Sequence, residues 1–108
     1  MYRLLIVDDE HHIVNWLSYI FENIPDMDLE INKAYTGMDA LNLMEKTKMD
    51  IIMLDIQMPG LNGLLIGEKI SLAWPMAYIV FLTGYNEFNY IYQASRLRHV
   101  SYLLKSED

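Results

Sequence analysis

The sequence predicts an α/β fold in which parallel strands alternate with crossover helices, and three observations carry that reading. Four short apolar runs, Leu4 to Val7, Ile51 to Leu54, Tyr78 to Leu82 and Val100 to Leu104, are rich in Ile, Leu and Val and have strand length. Three of them lack polar alternation, as expected of parallel strands covered on both faces. Amphipathic stretches of helical period separate the runs.

Taken in order, the first run stops at Asp8-Asp9-Glu10, and the next segment places Ile13, Leu17, Ile20, Phe21 and Ile24 on one helical face before Pro25 ends it. Leu29, Ile31 and Tyr35, separated by polar residues, read as a half-exposed edge strand. Gly37 to Thr47 carries Ala40, Leu41 and Met44 on one stripe and is the second helix. After the strand at Ile51, Asn62 can cap a third helix running to about Trp74, where Pro75 stops it. Asn86 can cap a fourth, through Ile91 and Ala94, between the last two strands. Five β and four α elements thus alternate, and with no repeat, linker or low-complexity tract, residues 1–108 are expected to form one domain.

Composition narrows the function. Hydrophobic residues make up 53% of the 108, enough for a core that hides about two thirds of the unfolded surface. Eight Lys and Arg against fifteen Asp and Glu leave a formal charge of −7, which opposes a broad grip on a phosphate backbone and argues against direct nucleic-acid contact. The absence of cysteine excludes disulfides and thiolate metal sites. The apolar start is too short for a signal peptide or a membrane span, so the expectation is a cytoplasmic protein without membrane attachment.

In an open parallel sheet, ligands bind outside the carboxyl ends of the strands. Those ends carry Asp8, Asp9 and Glu10 after the first strand, Asp55 after the third, Thr83 after the fourth and Lys105 after the fifth. Carboxylates gathered at one mouth repel, and a hard divalent cation such as Mg²⁺ relieves that repulsion through oxygen ligands. Such an ion keeps positions open for phosphate oxygens, while an ammonium and a hydroxyl can take the remaining phosphoryl charge. The chemistry indicated is phosphoryl transfer with a carboxylate as acceptor. Singly, each residue has a plainer reading: Asp55 as a turn residue, the acidic triplet as favourable charge at a helix start, Thr83 as a strand exit, Tyr102 as a static aromatic and Lys105 as a solvated charge. His11 and His12 read as exposed polar positions, and the eight Met, among them Met53, Met58 and Met76, as core and loop packing.

The segments "LLIVDDE" (Leu4 to Glu10), "GMDAL" (Gly37 to Leu41), "LDIQMPGLNG" (Leu54 to Gly63), "FLTGY" (Phe81 to Tyr85) and "YLLK" (Tyr102 to Lys105) together resemble a receiver domain of a two-component response regulator. The resemblance spans essentially the whole chain. It implies a flavodoxin-like, doubly wound five-stranded parallel sheet of order 2-1-3-4-5, phosphorylated on aspartate by a sensor histidine kinase. By this resemblance Asp55 is the phosphoacceptor, Asp9 the direct Mg²⁺ ligand, Asp8 its companion and the Gln57 main-chain carbonyl a further ligand. Thr83 is the hydroxyl that turns toward the phosphoryl group, Lys105 the cation that pairs with it, and Tyr102 the aromatic that changes rotamer with Thr83.

Ser106 stands where the family usually has proline, which leaves a trans bond as the default after Lys105. Asp108 stands where the family's fifth helix would begin, so that helix is expected to be missing or truncated, exposing apolar side chains of the first and fifth strands and favouring lower stability or self-association. Gln57 and Tyr85 flank the site, and bulky Tyr85 implies slow hydrolysis. Gly84 to Ala94 resembles receivers joined to arabinose-regulator-class activators, which implies an N-terminal receiver attached to a DNA-binding output domain and a possible homodimer. The alternatives are a pseudo-receiver that binds partners without accepting phosphate and a small phosphatase, the latter opposed by Gln57, which cannot serve as a general acid.

Overall fold

A computed structural model of the chain describes residues 1–58, 62–84 and 99–105. The elements are β1 (Tyr2–Val7), α1 (His11–Glu22), β2 (Leu29–Ala34), α2 (Gly37–Lys46), β3 (Ile51–Asp55), α3 (Gly63–Ala73), β4 (Tyr78–Thr83) and β5 (Val100–Leu104). All five strands pair in parallel in the order β2-β1-β3-β4-β5. The fourth helix expected around Asn86, Ile91 and Ala94 lies outside the described residues, as do Tyr85 and Ser106.

Strand period two splits the core into two layers. Leu5, Val7, Ile52, Leu54, Ile79 and Phe81 point to the side covered by Ala40 and Met44 of α2 and Ile66 and Ile70 of α3. Leu4, Ile6, Met53 and Leu82 point to the side covered by Ile13, Val14 and Leu17 of α1. The second and third helices are capped by side chains: Thr36 Oγ1 accepts from the Asp39 amide (3.1 Å) and Asn62 Oδ1 from the Leu65 amide (3.0 Å).

Three expectations need correction. The buried stripe of α1 is Ile13, Val14, Leu17 and Ser18, whereas Ile20 is 39% exposed and Ile24 lies beyond the helix end. Tyr35 falls after β2 rather than in it, and its ring stacks on His11 with centroids 3.9 Å apart. Met53 and Met58 are buried as expected, but Met76 is exposed.

The outer strand β5 is only half-covered, with Leu103 and Leu104 exposed as anticipated; in β1, Leu4 is buried and the exposed apolar residue is Tyr2. Beside α1 the sheet carries an apolar groove of about 550 Å³ lined by Leu4, Phe21, Met53, Val80 and Leu103.

Candidate functional site

The sheet register delivers the charged residues to one rim. Val7 pairs with Leu54, so Asp8 and Asp55, each one step further along, arrive side by side. Asp55 pairs with Leu82, which puts Thr83 just beyond it on the next strand. The Lys105 amide donates to the Thr83 carbonyl (2.7 Å), extending the β4–β5 ladder by one bond and anchoring the lysine backbone beside Thr83. Asp8, Asp55 and Thr83 are all buried, at 0%, 1% and 2% exposure.

Side chains then converge across these strands. Lys105 Nζ lies 3.2 Å from Asp8 Oδ2, 3.2 Å from Glu10 Oε1 and 3.3 Å from Asp55 Oδ1. Asp55 Oδ1 also accepts from the Gln57 amide at 3.4 Å. Asp8, Asp9 and Asp55 each offer a carboxylate oxygen, and these oxygens lie within 4.8 Å of one another. Asp9 and the Gln57 side chain are exposed, so the cluster has a buried floor and an open mouth.

Three carboxyls against one ammonium, with Asp9 beside two of them, make the electrostatics unbalanced. Burial, reinforced by the adjacent Asp8 carboxylate and opposed by Lys105, pushes the Asp55 carboxyl up to about 7. Burial likewise raises Asp8, against its hydrogen bond from the Glu10 amide and the pull of Lys105. For Lys105 burial acts downward, but Asp55, Asp8 and Glu10 outweigh it and hold the ammonium firmly charged. An all-oxygen donor set with excess negative charge suits a hard divalent cation, and Asp8, Asp9 and Asp55 are the residues that could hold one.

Tyr102, half-buried on β5, lies against Phe81 of β4 with ring centroids 6.3 Å apart and planes 21° from parallel; burial raises its phenol. Two contributors escaped the sequence reading. Glu10 was seen as part of the acidic triplet but not as a partner of Lys105, a contact that spans 95 residues. Gly63 begins α3 directly under the site: its amide donates to the Ile56 carbonyl (2.7 Å), and a Cβ there would overlap the Asp55 carbonyl oxygen. The second glycine of "PGLNG" is the one available signal for that close approach.

The family model of the response regulator receiver domain matches residues 4–108. The chain belongs to the response regulator receiver family. Among relatives, the receiver is 32% identical to the transcriptional regulatory protein YesN of Bacillus subtilis over 105 residues, covering 97% of this chain and 28% of that protein. It is 28% identical to YhcZ, a transcriptional regulatory protein of the same organism, over 98% of this chain and 49% of that one. The receiver thus spans half or less of these relatives. Among solved structures, the response regulator TrrA of Thermotoga maritima in complex with Mg²⁺ and BeF is 30% identical, with a TM-score of 0.84 over 100% of this chain and 90% of that one. A two-component AraC-type transcriptional regulator from Clostridium phytofermentans is 26% identical, with a TM-score of 0.85 over 97% and 81% of the two chains. Among the described residues no helix is long and apolar enough to cross a membrane.

Proposed function

We propose that this receiver takes a phosphoryl group from a sensor histidine kinase onto Asp55 and relays the change to an attached transcriptional output domain. The observation that carries the reading is the Asp55 carboxylate, buried at the end of β3 with Lys105 Nζ 3.3 Å away and with Asp8 and Asp9 oxygens in one cluster with it. In the transfer, an Asp55 carboxylate oxygen forms a bond to phosphorus as the phosphorus–nitrogen bond of a phosphohistidine breaks, and the imidazole leaves with the bonding pair.

Asp8, Asp9 and Asp55, with the Gln57 carbonyl, are the groups that would hold Mg²⁺, which supplies charge neutralisation for the phosphoryl oxygens. Lys105 offers an ammonium already at the carboxylate that is modified. Thr83, buried at the end of β4, would donate its hydroxyl to the phosphoryl group, and Tyr102, on the neighbouring strand, is the side chain that would move with it. The face formed by β4 and β5 would then carry the signal, through a population shift, to a covalently attached DNA-binding domain and to a second receiver in a dimer. The transcriptional relatives and the AraC-type structural neighbour support that output, and a cytoplasmic location fits a substrate of such a kinase.

Intact mass after incubation with acetyl phosphate tests the reading. The expected result is a Mg²⁺-dependent gain of one phosphoryl group, labile to hydroxylamine and absent in Asp55→Asn. No gain in folded protein would refute it in favour of a partner-binding module that is not phosphorylated.

A further inference from the structure

We propose that Glu10 is a positioning residue: it is the resting counter-ion of Lys105 and competes with the phosphoryl group for that ammonium. The inference deepens, and rests on, the assignment of Asp55 as phosphoacceptor.

The first argument is local. Glu10 occupies the N-cap of α1 in extended backbone, yet its side chain makes no capping bond, unlike Thr36 and Asn62 at the starts of α2 and α3. Its carbonyl does take up the helical amides, accepting from Ile13 (3.0 Å) and Val14 (3.3 Å), so the backbone behaves as a cap while the carboxylate does not. That carboxylate instead reaches Lys105 Nζ at 3.2 Å, with its second oxygen 3.7 Å from His12 Nε2. The Glu10 amide donates to Asp8 Oδ1 (3.0 Å), which locks the two acids together so that both approach the lysine from the β1 side.

The second argument is a division of labour among the three acids on Lys105. Asp8 and Asp55 belong to the oxygen cluster suited to a cation, and Glu10 does not. Asp8, Asp9 and Asp55 would share their charge with a cation held there, so Glu10, outside that set, would carry the larger part of the hold on the lysine. A phosphoryl group on Asp55 would therefore compete with Glu10 for an ammonium that lies 3.3 Å from Asp55 Oδ1 and 3.2 Å from Glu10 Oε1. The pair is partly open to water, with the Glu10 side chain 36% exposed. Its grip accordingly corresponds to about a two- to fivefold effect on an equilibrium that breaks it.

Beryllofluoride, a stand-in for the phosphoryl group, gives the test. Its affinity for the Mg²⁺-loaded chain is measured by fluorine NMR for the native protein, Glu10→Gln and Glu10→Asp, each with Lys105 intact and with Lys105→Gln. Glu10→Asp keeps the charge but is one methylene short of the lysine. We expect both Glu10 variants to bind about two- to fivefold more tightly, and the gain to vanish when Lys105 is replaced. Tighter binding by Glu10→Gln alone would assign the effect to net charge and overturn the proposal, as would unchanged or weaker binding by both. Failure of the native chain to bind beryllofluoride would instead remove the phosphoacceptor reading and this one with it; binding indifferent to Glu10 removes this one alone.

Discussion

Asp55→Asn should stabilise the metal-free protein, and the gain should grow with pH. Asp55 is 1% exposed, and burial together with the Asp8 charge lifts its carboxyl from 3.8 to about 7. A carboxyl raised in the folded state favours the protonated form there. Its contribution to stability is thus fully present below about pH 4 and is lost as pH climbs through about 7. Roughly three pKa units at 1.36 kcal/mol each give a ceiling of about 4 kcal/mol at alkaline pH. Asparagine occupies the same volume without the charge, and Lys105 retains Asp8 and Glu10 as partners. That value already includes the pull of Lys105, and burying the asparagine amide offsets part of the gain, so about 2 to 4 kcal/mol is expected, or roughly 10 to 20 °C in melting temperature. Scanning calorimetry of both proteins in chelator, at about pH 5 and about pH 8, reads the effect. Melting temperatures that coincide at the higher pH, or a gap that fails to widen between the two, would refute the reasoning.

Other substitutions probe the supports of the site. Gly63→Ala drives a methyl into the Asp55 carbonyl, which is backbone and cannot step aside; we expect a loss of about 1 to 3 kcal/mol or more in urea titrations. Gly67→Ala meets the far end of the Phe81 ring at 2.6 Å, a clash that a ring shift relieves and that gains about 1 kcal/mol of helix propensity in return. A net stability change below about 1 kcal/mol is expected there, with an altered near-ultraviolet dichroism from the Phe81–Tyr102 pair; an unaltered spectrum would contradict it. Thr36→Ala removes the cap of α2 and should cost about 1 kcal/mol in thermal or chemical denaturation, with no change in beryllofluoride affinity.

The sequence was most legible where local chemistry and topology agree. Strand ends are set by the switch from apolar runs to Asp8, Asp55 and Thr83, and a parallel sheet brings such ends to one rim whatever the side chains do. The cap at Asn62 is equally local. The face of α1 was harder, because Ile13, Val14, Leu17, Ile20, Phe21 and Ile24 contain two overlapping stripes and period alone does not choose between them. Packing selects the stripe with Val14 and Ser18; the latter has no hydrophobic signal, and its hydroxyl is satisfied by Glu22 at 3.0 Å. Tyr35 alternated correctly for a strand, yet the stack with His11 holds it after β2 has ended. Glu10 and Gly63 stayed hidden because their roles lie in contacts across the fold, one with a side chain 95 residues away and one with a neighbouring backbone.

The ion pair between Asp8 and Lys105 joins positions 97 residues apart, at the exits of the first and fifth strands. Parallel pairing is non-local throughout this sheet, and closing such long loops makes folding slow. Of the five strands β1 leaves the ribosome first and β5 last, so the acidic cluster waits for its cation until the fifth strand has been made. Only the docking of a half-exposed outer strand delivers Lys105, and any local opening of β5 takes it away again. The site is therefore complete only once β5 has docked, which ties chemical competence to the placement of the fifth strand.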